Sequence, residues 1–164
     1  MMVTSHDYHN VYKFTLDGCL VKSNVLWGGL ARYRGGLRGV KLGTYKGEEA
    51  LYVADSGKMK KSGYNYWSKV LVFGKSNWLT GFRNYEATVY DASEDLAGSH
   101  PYGITFDEEG NIYASFQHTD NVLRFYADTF ERMPLPTALV EISGGNVTSN
   151  GDDAHSKEEV AVTR

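Results

Sequence analysis

Residues 100 to 125, HPYGITFDEEGNIYASFQHTDNVLRF, hold two alternating apolar–polar runs around an acidic Gly-Asn turn, then a polar connection and a third run. Alternation with period two marks strands that bury one face. Pro101 belongs at the start of such a strand, because proline cannot donate to the ladder. GITF (103–106) is predicted as one strand and IYASF (112–116) as the next. Between them DEEGN (107–111) is a tight turn, with Gly110 free to take a positive φ and Asn111 tolerant of one. QHTDN (117–121) is a polar connection into VLRFY (122–126), and FERMPL (130–135) is expected to add an outer strand, held to a sheet edge by Pro134 and Pro136.

The same order occurs earlier in the chain. LRGVKLG (37–43) stands where PYGITFD stands, ALYVADSG (50–57) where NIYASFQH stands, and KVLVF (69–73) where NVLRF stands. NVYKFTLDG (10–18) reads as a further copy of that last element. Gly39 and Gly103 are 64 residues apart, Val70 and Val122 are 52, and Val11 and Val70 are 59. A repeat of this length built only from strands points to stacked sheets rather than to a helical array.

The pattern Pro-x-Gly-Ile, Asp-x-x-Gly-Asn-Ile-Tyr-Ala-Ser, Asn-Val-Leu-Arg-Phe resembles an NHL-type repeat. By that resemblance the chain is similar to part of a six-bladed β-propeller of the TolB-like and lactonase-like group. The fold class is therefore expected to be all-β, a propeller segment of antiparallel four-stranded blades in an incomplete ring. Residues 1–30 would be a partial blade of outer strands, and 31–98 a blade with a loop insertion at 56–69. Residues 99–142 would be a third blade, and 143–164 a linker toward a missing one. Gly39, Val40, Gly103 and Ile104 would form inner strands, while Tyr52, Phe73, Tyr113 and Phe125 would fill the seams between blades. An open array needs further blades or self-association to cover its edges, so the chain is expected to be a piece of a longer product.

Composition agrees with many short strands: of 164 residues, 12 are Tyr, 7 Phe and 18 Gly, with 3 Pro. A single cysteine, Cys19, excludes an intrachain disulfide and a Cys-x-x-Cys metal site. No apolar run reaches the length of a membrane span, and MMVTSHDYHN does not read as a signal peptide. A cytoplasmic location would follow if Met1 is the true start, and a secreted parent protein otherwise. Asn146-Val147-Thr148 is a glycosylation sequon only in that second case. Residues 1–75 carry 12 Lys and Arg against 5 Asp and Glu, whereas residues 76–164 carry 5 against 15. Such asymmetry favours an anionic partner on one side or association of unlike ends, and it equally describes two differing solvated surfaces.

The resemblance implies one ligand-binding face, where loops between second and third strands meet those that lead into the inner strands. It would gather Arg32, Arg34 and Arg38, Asp55, the insertion SGKMKKSGYNYWSK (56–69), His100 and Tyr102, and Gln117, His118, Thr119 and Asp120. The expected ligand-binding residues are Arg34, Arg38, Lys60, Lys61, Trp67 and His118. The expected function is non-enzymatic recognition of a protein or another macromolecule through this loop face, with a protein or peptide the expected partner, since arginine and aromatic side chains commonly anchor such surfaces. Lys60, Lys61 and Trp67 would also suit phosphate contacts and base stacking, the RNA-binding alternative. Against it, Glu94, Asp95 and Asp120 would repel a phosphate backbone. A third alternative is a fragment of a metal-dependent lactonase or lyase, for which His100, His118 and Asp120 would supply a partial zinc or calcium site. Arg38 and Tyr102 occupy the positions where such lyases carry histidine, and no Gly-x-Ser-x-Gly, phosphate-loop or His-Glu-x-x-His motif is present. No catalytic residue and no cofactor is therefore assigned.

Overall fold

The computed structural model describes residues 1–6, 10–27, 36–57, 68–77, 85–95 and 97–134. All of them lie in one compact unit, Met1–Pro134. Among the described residues the unit is all-β, with ten strands: β1 Met2–Ser5, β2 Asn10–Phe14, β3 Leu20–Trp27, β4 Leu37–Tyr45, β5 Glu48–Asp55, β6 Lys69–Gly74, β7 Ala87–Asp91, β8 Pro101–Phe106, β9 Ile112–Phe116 and β10 Asn121–Phe125. They form three antiparallel sheets, β1-β2-β3, β4-β5-β6-β7 and β8-β9-β10. Residues 31–35, 58–67 and 135–164, and with them the linker expected at 143–164, lie outside the described residues.

Hydrophobic patterning explains why the four-stranded sheet sits in the middle. In β5 and β6 both alternating sets are apolar, and both are buried. Leu51, Val53, Leu71 and Phe73 face one way, into a core shared with Val11 and Val25 of the first sheet. Ala50, Tyr52, Val70 and Val72 face the other way, into a core completed by Ile112, Ala114, Phe116, Leu123 and Phe125 of the third. A strand with no polar face must be covered on both sides, so these residues dictate a three-layer stack.

The layers converge along their first strands. β8 runs beside β4 in the same direction, with Gly39 against the Tyr102 carbonyl and Gly43 against the Phe106 ring. A Cβ on Gly39 would overlap that carbonyl oxygen and stand 3.3 Å from the Gly103 Cα. Farther out the same two sheets are held apart by large rings. Tyr52 meets Phe106 edge-on at 4.9 Å, Tyr90 meets Phe116 at 4.7 Å, and Tyr45 stacks on Phe130 at 5.6 Å. Small residues at one edge and aromatic ones farther out give this seam a wedge section.

On the other side β1 lies against β4, in the opposite direction. The Thr4 hydroxyl donates to the Arg38 carbonyl, and His6 sits against Gly36. β5 and β8 are likewise neighbours, so β1 stands to β4 as β5 stands to β8.

Several sequence expectations need correction. FERMPL pairs antiparallel with β10 at the expected edge, but only through one bridge, Phe125 to Arg132, and the amides of Tyr126 and Met133, which donate to the Glu131 and Arg124 carbonyls. It stops short of a full strand among the described residues. Tyr113 does not enter the seam between the second and third sheets; like Tyr52 on the second sheet, it lies on the face turned away from the preceding sheet. Ile112, Ala114 and Phe116 point into the core, so Tyr113 projects from the opposite face, where its hydroxyl bonds Asp107 at 3.2 Å and Arg124 lies over its ring. The DEEGN turn is confirmed, but only Gly110 takes a positive φ, of 85°. Asn111 instead locks the turn, with its backbone and side chain both donating to the Asp107 carboxylate. Partial burial would raise the Asp107 carboxyl, but these bonds, with those from Tyr113 and Arg124, hold it below the usual carboxylate range.

Gly39→Ala should lower stability by about 2–4 kcal/mol, because β4 and β8 must part to admit the methyl group. Gly18→Ala is the control. There a φ of 90° is strained for alanine but nothing lies within 4 Å, so the expected loss is about 1 kcal/mol. Urea unfolding of both variants decides the matter; equal losses would show that the strand approach imposes no constraint.

Candidate functional site

One end of the stack collects the connections that lead into β4 and β8 and those that leave β5 and β9. It is tied together by buried serines. The Ser56 hydroxyl donates to the Gly36 carbonyl at 2.7 Å, and the Ser68 hydroxyl donates to the Ser56 carbonyl at 2.9 Å. The His100 amide in turn donates to the Ser68 hydroxyl at 3.1 Å. Ser56, Ser68 and Ser99 are fully enclosed. Beside them the turn at 117–120 is anchored by the Gln117 and His118 amides, which donate to the carbonyls of His100 and Ser99. Thr119 accepts from the Ser99 amide and bonds Asn121, whose side chain reaches the Ala97 carbonyl at 2.6 Å. Each hydrogen bond contributes only about 1 kcal/mol net, but the string crosses from the middle sheet to the third and fixes their ends in register.

His100 stands on this platform. Its backbone has a φ of 62°, in the left-handed region. Its ring stacks on that of His118, with centroids 4.3 Å apart and planes 23° from parallel. The residue is 4% exposed, yet neither ring nitrogen has a hydrogen-bond partner. Burial, followed by the charges of His118, Arg38 and His6, pushes the imidazole down to about 4. It is therefore neutral at pH 7.

Arg38 lies on β4 with its guanidinium over the Tyr102 ring, 5.4 Å from the centroid, and its Nε is enclosed and unpartnered. Among the described residues Arg124 pairs with Asp107 at 3.1 Å and Arg132 with Asp95 at 3.1 Å. No carboxylate among them pairs with Arg38.

Of the residues singled out in the sequence, the fold thus brings together Arg38, His100, Tyr102 and His118. Asp55 ends β5 at the same end of the stack, where its carboxylate accepts from the Gly57 amide at 3.1 Å. Asp120 ends the 117–120 turn with a φ of 48°. It does not complete a metal site: among the described residues no three His, Cys, Asp or Glu side chains converge as a cation would require. Arg32, Arg34, Lys60, Lys61 and Trp67 lie outside the described residues. His6, the first residue after β1, was not singled out in the sequence.

The opposite end differs in character. It is closed by a two-residue turn at Lys46-Gly47, both with positive φ, and by the Asp107–Asn111 turn. An open groove of about 490 Å³ runs along β7 instead, lined by Lys69, Tyr85, Asp91, Glu94, Phe130 and Glu131. Its lysine is already paired with Asp91. Hydrogen bonds from Lys69 and Ser93 hold the Asp91 carboxyl below the usual range, although burial acts to raise it. Among the described residues no helix is long and apolar enough to cross a membrane.

Because the folded imidazole titrates below its ordinary value of 6.5, the unfolded chain binds the extra proton. The neutral ring's contribution is complete above pH 6.5 and is lost as pH falls toward 4, on the order of 3 kcal/mol in all. Asparagine tolerates a positive φ, so His100→Asn should remove this part of the acid-side decline. Urea midpoints across that pH range test it, and an equally steep decline in the variant would rule out His100 as the source.

No protein-family model, no curated protein and no solved structure matches this chain.

Proposed function

We propose that the chain is a non-enzymatic recognition module, an NHL-like propeller segment that binds a protein or peptide across the end holding His100. The blade reading is supported by the wedge-shaped seam and by the recurring placement of first strands. β1 stands to β4 as β5 stands to β8; on this reading the first sheet supplies a second, third and fourth strand, and β2 is the counterpart of β6 and β10.

The observation that carries the functional reading is the contrast between the two ends. At one, among the described residues, the Asp107–Asn111 turn bonds its own polar groups, and Arg124, though its Nε is enclosed and unpartnered, is paired with Asp107. At the other, a rigid serine-bonded platform presents an arginine and a histidine whose enclosed nitrogens have no protein partner. Leaving such groups unsatisfied costs about 1–3 kcal/mol each, a cost that a ligand removes on binding. A surface built this way favours binding over folding stability.

Placing a photo-crosslinking benzoylphenylalanine at Gln117, and in a separate variant at Glu108 on the opposite end, tests the assignment. Both residues are exposed. In cell extract, discrete protein adducts should form severalfold more at Gln117 and should fall when Arg38→Gln is added. Equal adducts from the two positions, or none from Gln117, would overturn the proposal.

A further inference from the structure

The geometry points to a carboxylate as the group recognised, seated between the Arg38 guanidinium and the His100 imidazole. This inference rests on the recognition reading of the same end and narrows it to one ligand chemistry.

Charge count comes first. Arg38 is permanently cationic, and among the described residues it meets an aromatic ring but no carboxylate. A guanidinium matches a carboxylate in plane and spacing, so paired N–H···O bonds suit this partner better than any single-point acceptor. His100 adds directional groups. Its backbone is pinned by Ser68 and Gln117, and its ring is enclosed with both nitrogens unpartnered. A neutral imidazole donates one N–H, and a carboxylate oxygen is its natural acceptor.

The groups acting on His100 are His6 after β1, Arg38 on β4 and His118 on the β9–β10 turn; Asp55 ends β5 at the same end of the stack. Among the described residues Arg38 is the one permanent cation of the four and Asp55 the one anion, so the second charge of a phosphate would face no permanent counter-charge there. A bound carboxylate also opposes the repulsion that Arg38 and His118 exert on His100, so binding should raise the proton affinity of that ring. His118, which stacks over His100, is exposed.

The carboxylate can belong to a small acid or to a peptide, and the experiment separates the two. In the full chain, the ring signals of His100 and the Nε–H signal of Arg38 are followed by NMR while sodium acetate is added, with chloride at equal ionic strength as the control. Saturable shifts at both residues are expected, with the His100 midpoint moving upward from about 4 by about one unit or more. Arg38→Gln should abolish the response. A short peptide with a free C-terminus that binds more tightly than both acetate and its own C-terminal amide supports a peptide source. Equal binding by acetate and peptide supports a small acid. No saturable shift with acetate or peptide in the unmodified chain overturns the inference, without recourse to a variant. So does inorganic phosphate binding as tightly as acetate, or an unchanged response in a folded Arg38→Gln. If Gln117 adducts persist while acetate has no effect, the carboxylate assignment alone falls. If acetate binds but no adducts form, the partner-binding reading falls and the anion site stands.

Discussion

The arrangement depends on a backbone-to-backbone approach that only glycine allows. Where β4 passes β8, Gly39 faces the Tyr102 carbonyl with no room for a side chain. Because the sheets nearly touch there and are spaced by Tyr90, Phe116 and Phe125 farther out, they diverge from a line instead of lying flat. That divergence sets which loops can meet. Connections into β4 and β8 start close together and share the serine string. The far edges leave a gap wide enough for the groove along β7.

The candidate site follows from this convergence. A string of enclosed hydroxyls is a costly way to join strand ends unless every member is bonded. Here Ser56 and Ser68 each hand their hydroxyl proton to a carbonyl, and Ser68 accepts the His100 amide. The backbone at His100 is thus satisfied, even as its ring is not. Rigid main chain beneath unsatisfied side-chain atoms is how proteins hold recognition groups ready without rearranging them.

Much of the sheet structure is legible in the residues. IYASF and KVLVF appear as strands within one residue of their predicted bounds. LRGVKLG and PYGITF each begin a run of hairpin-connected strands, β4-β5-β6 and β8-β9-β10, and Gly39 and Gly103 meet in space. β7 escaped because Val89 and Tyr90 are both buried, a break in alternation produced by the register shift opposite Val70 and Leu71. β1 is four residues long and half polar, too short to carry a period. Tyr113 shows the parity of Tyr52: Ile112, Ala114 and Phe116 occupy the positions facing the second sheet, so their neighbour faces the other way. At the site, Pro101 marks His100 as the start of a strand, and the polar run after Phe116 marks His118 as a turn residue. Their ring contact depends on how far the two connections are apart in space, which no local pattern encodes.

The middle sheet has a consequence for how the molecule responds to damage. Leu51 and Tyr52 are adjacent in the chain but belong to different cores, as do Val72 and Phe73. β5 and β6 therefore act as a party wall, with a tenant on each side. Densely packed interiors transmit displacement rather than absorb it, so a bulge raised in that wall from the Phe73 side is felt by Tyr52 and its ring contact with Phe106. The two interiors are separate in composition but mechanically one.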